Sequence, residues 1–293
     1  MSELTIPSIE KSDIKPVKIE PGGTAIVLQR HEKYERSRDS DKSGSVFEED
    51  AAEARKRALD FFTQELAGDT DESPIFVLFA SSDTQYNDMG RRSLETAQLA
   101  QDACAEAMVA AGVEPNQRII NFSSDFTTKR FKETDQDIRP VTKLREPDIF
   151  SSADYINHLR DKYGKEDGPG TGISKKAWAA HEADEEKEAR EKFGAEGVGE
   201  ILGRTQKSIH VFEQYAAMFH RSRPNARLVI WATSHYDTIS PLVKDATGAT
   251  LKDYVPVDYG AGIVIEVGPG SNEAVFEAQG QKTLLKLGKI ATR

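Results

Sequence analysis

Five short runs, each apolar at both odd and even positions, constrain this chain more than any other feature. They are Ala25 to Leu28, Ile75 to Ala80, Arg118 to Phe122, Arg227 to Thr233 and Ala261 to Val267. A strand with one face in water alternates apolar and polar residues, whereas a strand covered on both faces reads as a continuous apolar run. Helical stripes separate the runs. Ala51, Ala54, Ala58, Phe62 and Leu66 recur at helical spacing ahead of Gly68, with Ser45 and Glu48 resembling a capping box in front. Leu94, Ala97, Ala100, Cys104, Ala107 and Ala111 form a second stripe ended by Gly112. Leu202, Thr205, Ile209, Phe212, Ala216 and Phe219 form a third. Doubly covered strands alternating with helices predict right-handed βαβ units, and so a three-layer α/β/α sandwich with a mostly parallel sheet. Gly268 to Asn272 reads as a hairpin turn into Ala274 to Ala278, which gives that sheet an antiparallel edge.

The flanks differ in character. Residues 1–21 are polar, contain Pro7 and Pro16 and lack periodicity, so they are expected as a flexible N-terminal arm. Residues 22–293 are expected as a single domain. A charged helical insertion at about 164–198 interrupts it, introduced by Gly168-Pro169-Gly170-Thr171-Gly172 and dominated by Lys, Glu and Ala. No internal repeat is visible. The glycine loop lacks the Lys-Ser/Thr ending of a Walker A motif, and no dinucleotide fingerprint follows the first strand.

Charge and composition exclude several classes of function. The net charge of −10 argues against nucleic-acid or anionic-membrane partners. No apolar run has the length of a membrane span, and the first residues lack the apolar core of a signal peptide, so a cytoplasmic location is expected. The single cysteine, Cys104, rules out an intrachain disulfide or a cysteine-built metal site, and its Ala-rich helical setting predicts a buried, inert thiol. His158, His181, His210 and His220 show no metal-ligand spacing and read as structural or surface histidines. Trp178 and Trp231 read as packing residues.

In open parallel sheets a ligand lies beyond the carboxyl ends of the strands, so the residues that follow the apolar runs carry the functional argument. Gln29-Arg30-His31-Glu32 follows the first run. Ser81 and Ser82 follow the second, with Arg91 and Arg92 ahead of the next helical stripe, and Ser234-His235-Tyr236-Asp237 follows the fourth. Two histidines and at least two arginines therefore gather at one sheet edge. Arginine near a helix N-terminus opposes the helix dipole, so Arg92 implies a need set by an anionic ligand, with Arg91 as the competing candidate. A covalent route to phosphate-ester hydrolysis needs a nucleophile, a cationic cradle and an acid for the leaving group.

In these segments the chain resembles the histidine phosphatase superfamily, the phosphoglycerate mutase-like group, and specifically its first branch. Gln29-Arg30-His31-Glu32 is similar to the Arg-His-Gly motif that follows the first strand there. Arg92-Ser93-Leu94-Glu95-Thr96-Ala97, with Ser81 or Ser82 before an inserted Asp83 to Gly90, is similar to the family's Ser-Pro-Leu-x-Arg-Ala-x-x-Thr-Ala segment. Leu144-Arg145-Glu146 resembles its Leu-x-Glu segment, His235 its second histidine, and Glu200 and Arg204 the lead-in to that strand. The matches keep the family's order across roughly residues 24–280.

The resemblance implies a phosphoglycerate mutase-like fold and a phosphomonoester hydrolase working through phosphohistidine, without metal or other cofactor. His31 would be the nucleophile, Arg30 and Arg92 would grip phosphate oxygens, and His235 would add a third positive donor. Glu146 would act as general acid and then base. The implied partner is a small phosphorylated substrate, with no nucleic acid and no membrane, and a homodimer is a further expectation. A phosphoglycerate-type mutase is an alternative within the same chemistry. A catalytically silent phospho-ligand binding or interaction module is the alternative from another class. The main departure is Glu32 in place of the motif's glycine. A carboxylate beside a phosphate site is electrostatically adverse, so either the loop packs differently or Glu32 points away, with Lys33, Arg36 and Arg38 at hand to neutralise it.

Overall fold

The computed structural model describes residues 8–35, 45–82, 91–120, 138–147, 152–165, 173–248, 255–269, 274–278 and 281–285. In chain order the elements are β1 (Thr24–Arg30), α1 (Glu48–Leu66), β2 (Ile75–Ser81), α2 (Arg91–Ala110), α3 (Pro115–Arg118), β3 (Ile119–Ile120) and β4 (Arg139–Pro140). Then come α4 (Ala153–Tyr163), α5 (Lys175–Glu182), α6 (Lys187–Lys192), α7 (Val198–Ser222), β5 (Arg227–Ser234), α8 (Tyr236–Thr247), β6 (Gly262–Val267), β7 (Ala274–Ala278) and β8 (Gln281–Leu285). All five apolar runs contribute strands, although within the described residues the third contributes only Ile119 and Ile120, Arg118 closing α3.

Among the described residues, eight strands form one mixed sheet in the order β3-β2-β5-β1-β6-β7-β8, with β4 also pairing β2. The β2, β5 and β1 pairings are parallel, whereas β6, β7 and β8 add antiparallel strands beyond β1. The antiparallel part is thus wider than a single hairpin edge, because β6 already runs against β1. Among the described residues no helix is long and apolar enough to cross a membrane.

Both parities of the central strands are buried, each against its own helical layer. Ile26, Leu28, Leu228, Ile230 and Ile263 face α7 and α8 through Phe212, Phe219, Ile239 and Leu242. Ala25, Val27, Val77, Phe79, Val229 and Trp231 face α1 and α2 through Phe61, Phe62, Ala100 and Cys104. The architecture is therefore a three-layer α/β sandwich. Small residues along α2 let that helix lie close to the sheet, while Phe61, Phe62, Phe79 and Trp231 interlock beneath α1.

Two local expectations are corrected. The Ser45/Glu48 capping box does not form: α1 begins at Glu48 with Phe47 as its N-cap. Ser45 is taken up instead by a backbone pairing, its carbonyl accepting from Glu35 N at 2.7 Å beside the Tyr34–Val46 bridge. The described part of the N-terminal arm contacts the rest of the fold. Ile9 is buried and bridges Val257, Ile19 packs in the α1/α2 layer, and Val17 N donates to Glu65 at 2.7 Å. The charged stretch carries α5 and α6, and it is not wholly solvated. Ile173, Ala177 and Ala195 pack with Tyr155 and Leu159 of α4 as a small core, and Glu182 is buried. The 83–90 insertion, Phe122, Gly168 to Gly172, Arg36, Arg38 and the 270–272 turn lie outside the described residues.

Candidate active site

The strand register assembles the site. Arg30 pairs with Ser234, and Ser81 with Thr233, in parallel, so the chains leave β1, β2 and β5 side by side at one edge. Two backbone bonds carry that alignment one residue further: His31 N donates to Ser234 O at 2.9 Å, and Ser82 N to Thr233 O at 2.8 Å. His31, Ser82 and His235 meet there because each directly follows a strand end. The fourth wall comes from the first turn of α2, where Arg92 is 1% exposed and lies 4.4 Å over the Tyr34 ring. The face of that ring offsets part of the cost of burying a guanidinium.

His31 donates from Nδ1 to the carbonyl of Glu32 at 2.7 Å, so Nε2 keeps its lone pair. Arg92 Nε points at that nitrogen from 3.1 Å, and Arg92 Nη2 is ion-paired with Glu146 Oε1. The ring of His235 lies edge-on to that of His31 with centroids 5.1 Å apart. The Ser82 hydroxyl donates to Ser93 Oγ at 3.0 Å, so its oxygen accepts from His235 Nε2 at 2.9 Å. His235 Nδ1 is left facing Glu146 Oε1 at 3.5 Å. Burial first, then Arg92, His235 and Arg30, hold His31 well below the ordinary histidine range. Burial, Arg92, Arg30 and Arg204 do the same to His235, so both rings are neutral here.

Arg30 stands at the rim, 3.7 Å over the Tyr259 ring, with Nη1 donating to Val257 O. Glu146 sits on a loop braced from three sides. Ser234 Oγ donates to Leu144 O at 2.8 Å, Arg204 Nη1 donates to Lys143 O, and Arg145 Nη1 donates to Glu146 O at 2.9 Å. Glu196 grips Arg204 with both carboxylate oxygens, at 2.7 and 3.2 Å. Of the two lead-in residues, Arg204 thus supports the Glu146 loop, whereas Glu200 caps the start of α7 by accepting from Gly197 N at 2.8 Å. The sequence-predicted residues His31, Arg92, His235 and Glu146 converge, with Arg30 beside them. The side chain of Arg91 lies outside the described residues.

The remaining histidines are engaged elsewhere: His158 with Glu186, His181 with Tyr155, His210 with Gln214 and His220 with Thr24. Trp178 and Trp231 pack, against Tyr236 and His181 in one case and Phe61 and Phe62 in the other.

Sequence reasoning missed Tyr34, Tyr259, Arg57 and Gly260. The acidic departure, Glu32, is fully buried and is ion-paired with Arg57 of α1. Burial pushes its carboxyl up to about 7, against the pull of Arg57 and Lys11. Asp237 is buried in the first turn of α8, and burial raises it to about 6 although Arg30, Arg204 and Arg92 oppose the shift.

Chemically, the pocket offers one bare imidazole nitrogen, guanidinium donors aimed at it, a second imidazole and a carboxylate. The ligand atoms of His31, Glu146 and His235 lie within 4.8 Å of one another, close enough to share a divalent ion. Arg92, however, already contacts two of the three, and its fixed charge makes the pocket a better receiver of an anion.

No family model and no curated protein sequence matches the chain. Among solved structures the chain is similar to a phosphoglycerate mutase from Bacillus anthracis str. Sterne, at 16% identity over 89% of this chain and 95% of that one, with a TM-score of 0.49. It is also similar to mycobacterial hydrolase 1, at 14% identity over 83% and 92% with a TM-score of 0.43. A third likeness is to the mycobacterial glucosyl-3-phosphoglycerate phosphatase complexed with VO3, at 15% identity over 82% and 90% with a TM-score of 0.40. At these identities, what this chain does has to be read from its own side chains.

Proposed function

We propose that the protein is an enzyme of the histidine phosphatase superfamily that hydrolyses phosphomonoesters through a covalent phosphohistidine on His31. The observation that carries this reading is the Nδ1 bond to the Glu32 carbonyl, which leaves Nε2 bare and turned toward Arg92. In the first step Nε2 attacks phosphorus and the bond to the ester oxygen breaks. The leaving oxygen takes its proton from Glu146. Water then attacks the phosphohistidine, Glu146 takes back a proton, and inorganic phosphate departs. Arg92 exchanges its contacts with His31 and Glu146 for phosphate oxygens, which its planar fork suits, and Arg30 supplies the second guanidinium. An arriving dianion raises the proton affinity of His235, whose Nδ1 then donates into the pocket.

With the Glu32 carboxylate buried against Arg57, the binding-only alternative loses its main ground. The test is turnover of a chromogenic aryl phosphate by wild type and His31→Ala, with and without chelator, together with quenching in alkaline detergent followed by acid treatment of part of the sample. Wild type is expected to turn over and to yield an acid-labile phosphoenzyme. His31→Ala is expected to lose on the order of a thousand-fold in kcat/KM. Absence of turnover and of phosphoenzyme across many phosphomonoesters would sink the reading, and loss of activity with chelator would sink its metal-free form. Phosphoryl transfer between two positions of one substrate, measured separately, would favour a mutase.

A further inference from the structure

We propose that Glu32 is the positioning residue for His31, and that Arg57 and Gly260 are what make an acidic side chain usable at that point. The inference rests on the phosphohistidine reading above.

The main chain of Glu32 is held at both ends of its peptide units. Its carbonyl accepts from His31 Nδ1 at 2.7 Å, and its N–H donates to Thr96 Oγ1 at 3.0 Å. Thr96 Oγ1 in turn donates to the carbonyl of Arg92 at 2.8 Å. One residue therefore couples the ring that attacks to the helical turn carrying the guanidinium that receives. Carbonyl placement decides which imidazole nitrogen is bare, because the proton sits on whichever nitrogen finds the acceptor.

The side chain is what anchors this residue. Its Oε1 is ion-paired with Arg57 of α1, and Gln29 Nε2 points at the same oxygen from 3.4 Å. Gln29 is itself oriented by Trp231, whose indole N–H can only donate and does so to Gln29 Oε1 at 2.9 Å. Gln29 Nε2 also donates to Gly260 O at 3.2 Å, and Gly260 N donates to His31 O at 3.2 Å. Gly260, at φ +73°, has no side chain where one would collide: a Cβ there would lie 2.2 Å and 2.3 Å from the two carboxylate oxygens of Glu32. The missing atoms at position 260 are the space the Glu32 side chain occupies. Beyond Arg57 the charges continue outward through Glu53 at 3.2 Å and Lys11 to Asp50, so the anchor ties His31 to the face of α1.

Four variants test the proposal: Glu32→Gln, Arg57→Gln, the double Glu32→Gln/Arg57→Gln, and Gly260→Ala. Three readouts are taken on each: the Nδ1–H tautomer of His31 by 15N NMR, kcat and KM with an aryl phosphate, and the Kd for inorganic phosphate. In the single variants kcat is expected to fall about ten-fold, as a small misplacement of a reacting group does. KM and the phosphate Kd are expected to stay within about two-fold, and His31 to become a mixture of tautomers. The double variant removes both charges together, leaves neither buried alone, and is expected to recover part of the loss. Single variants with wild-type kcat and an undivided Nδ1–H tautomer would overturn the proposal. If the singles do not fold, a folded double variant with wild-type kcat and tautomer overturns it equally. Wild type without turnover, alongside a tautomer that still shifts in the variants, would reject the phosphohistidine reading while supporting the positioning role.

Discussion

A histidine that is to accept a phosphoryl group must keep a bare nitrogen at working pH, and His31 does so through burial and positive neighbours rather than through an adjacent carboxylate. The sign of the consequence is clear. The folded state holds His31 and His235 below their ordinary values, so as pH falls beneath about 6.5 the unfolded chain binds protons that the folded protein refuses. Both residues therefore withdraw stability on the acid side. His31→Asn is expected to close the gap with wild type, or overtake it, between pH 7 and pH 5 in denaturant unfolding, and the His31 NMR titration is expected to have its midpoint well below 6.5. A stability difference that does not change with pH would contradict the assigned cause. At this scale His31, Arg92 and His235 were legible because each stands at a position the pattern marks, a strand end or the start of a helical stripe, whereas Glu146, on a loop, was named only through the resemblance of Leu144-Arg145-Glu146 to the Leu-x-Glu segment. Arg57 and Gly260 were not. Arg57 is one of several basic residues along α1, and Gly260 acquires its meaning only from a side chain 228 positions earlier in the chain.

The elements that present the site are secured from outside the sheet, most unexpectedly by the charged stretch. Glu182 of α5 reaches into α8, the helix that follows His235, where Tyr236 Oη and Lys244 Nζ donate to its carboxylate and Ser240 Oγ does so at 3.1 Å. Both members of the Glu182–Lys244 pair are buried. Glu182→Ala is expected to cost about 3–5 kcal/mol, because it removes the carboxylate facing a buried ammonium. Glu182→Leu combined with Lys244→Met is expected to cost much less, and chemical denaturation of the two variants checks it. A cost that stays small in the single variant would mean that α5 does not hold α8. The Lys- and Glu-rich composition hid this docking, since composition speaks for the exposed face of a helix and not for the one acid turned inward. The major strands and α1, α2 and α7 were legible because doubly buried strands and amphipathic helices carry strong periodicities. β4, with two residues, and β8, with three polar residues ahead of two leucines, carry too little pattern to stand out.

Over the whole molecule a chain of net charge −10 concentrates Arg30, Arg92 and two histidines at one sheet edge, so an anion should bind the folded state and not the unfolded one. Inorganic phosphate at about a hundred times its Kd is expected to stabilise the protein by about 2.7 kcal/mol, read as a rise in Tm. Arg92→Ala is expected to abolish the rise, and an equal rise in that variant would place the anion elsewhere. The sandwich was foreseeable from the alternation of elements, but not the order of the strands, because periodicity says which faces are buried and nothing about neighbours. That order has a consequence for how the chain comes into being. The strand that carries His31 is bracketed by β5 and β6, both made from the last third of the sequence. On a ribosome adding about 5–20 residues per second, β1 would wait about 10–40 s for its first partner. Throughout that interval its apolar residues and both its edges are open to the wrong contact, so the pocket is a part of the sheet that vectorial synthesis completes late, and its delay is the window for misassociation.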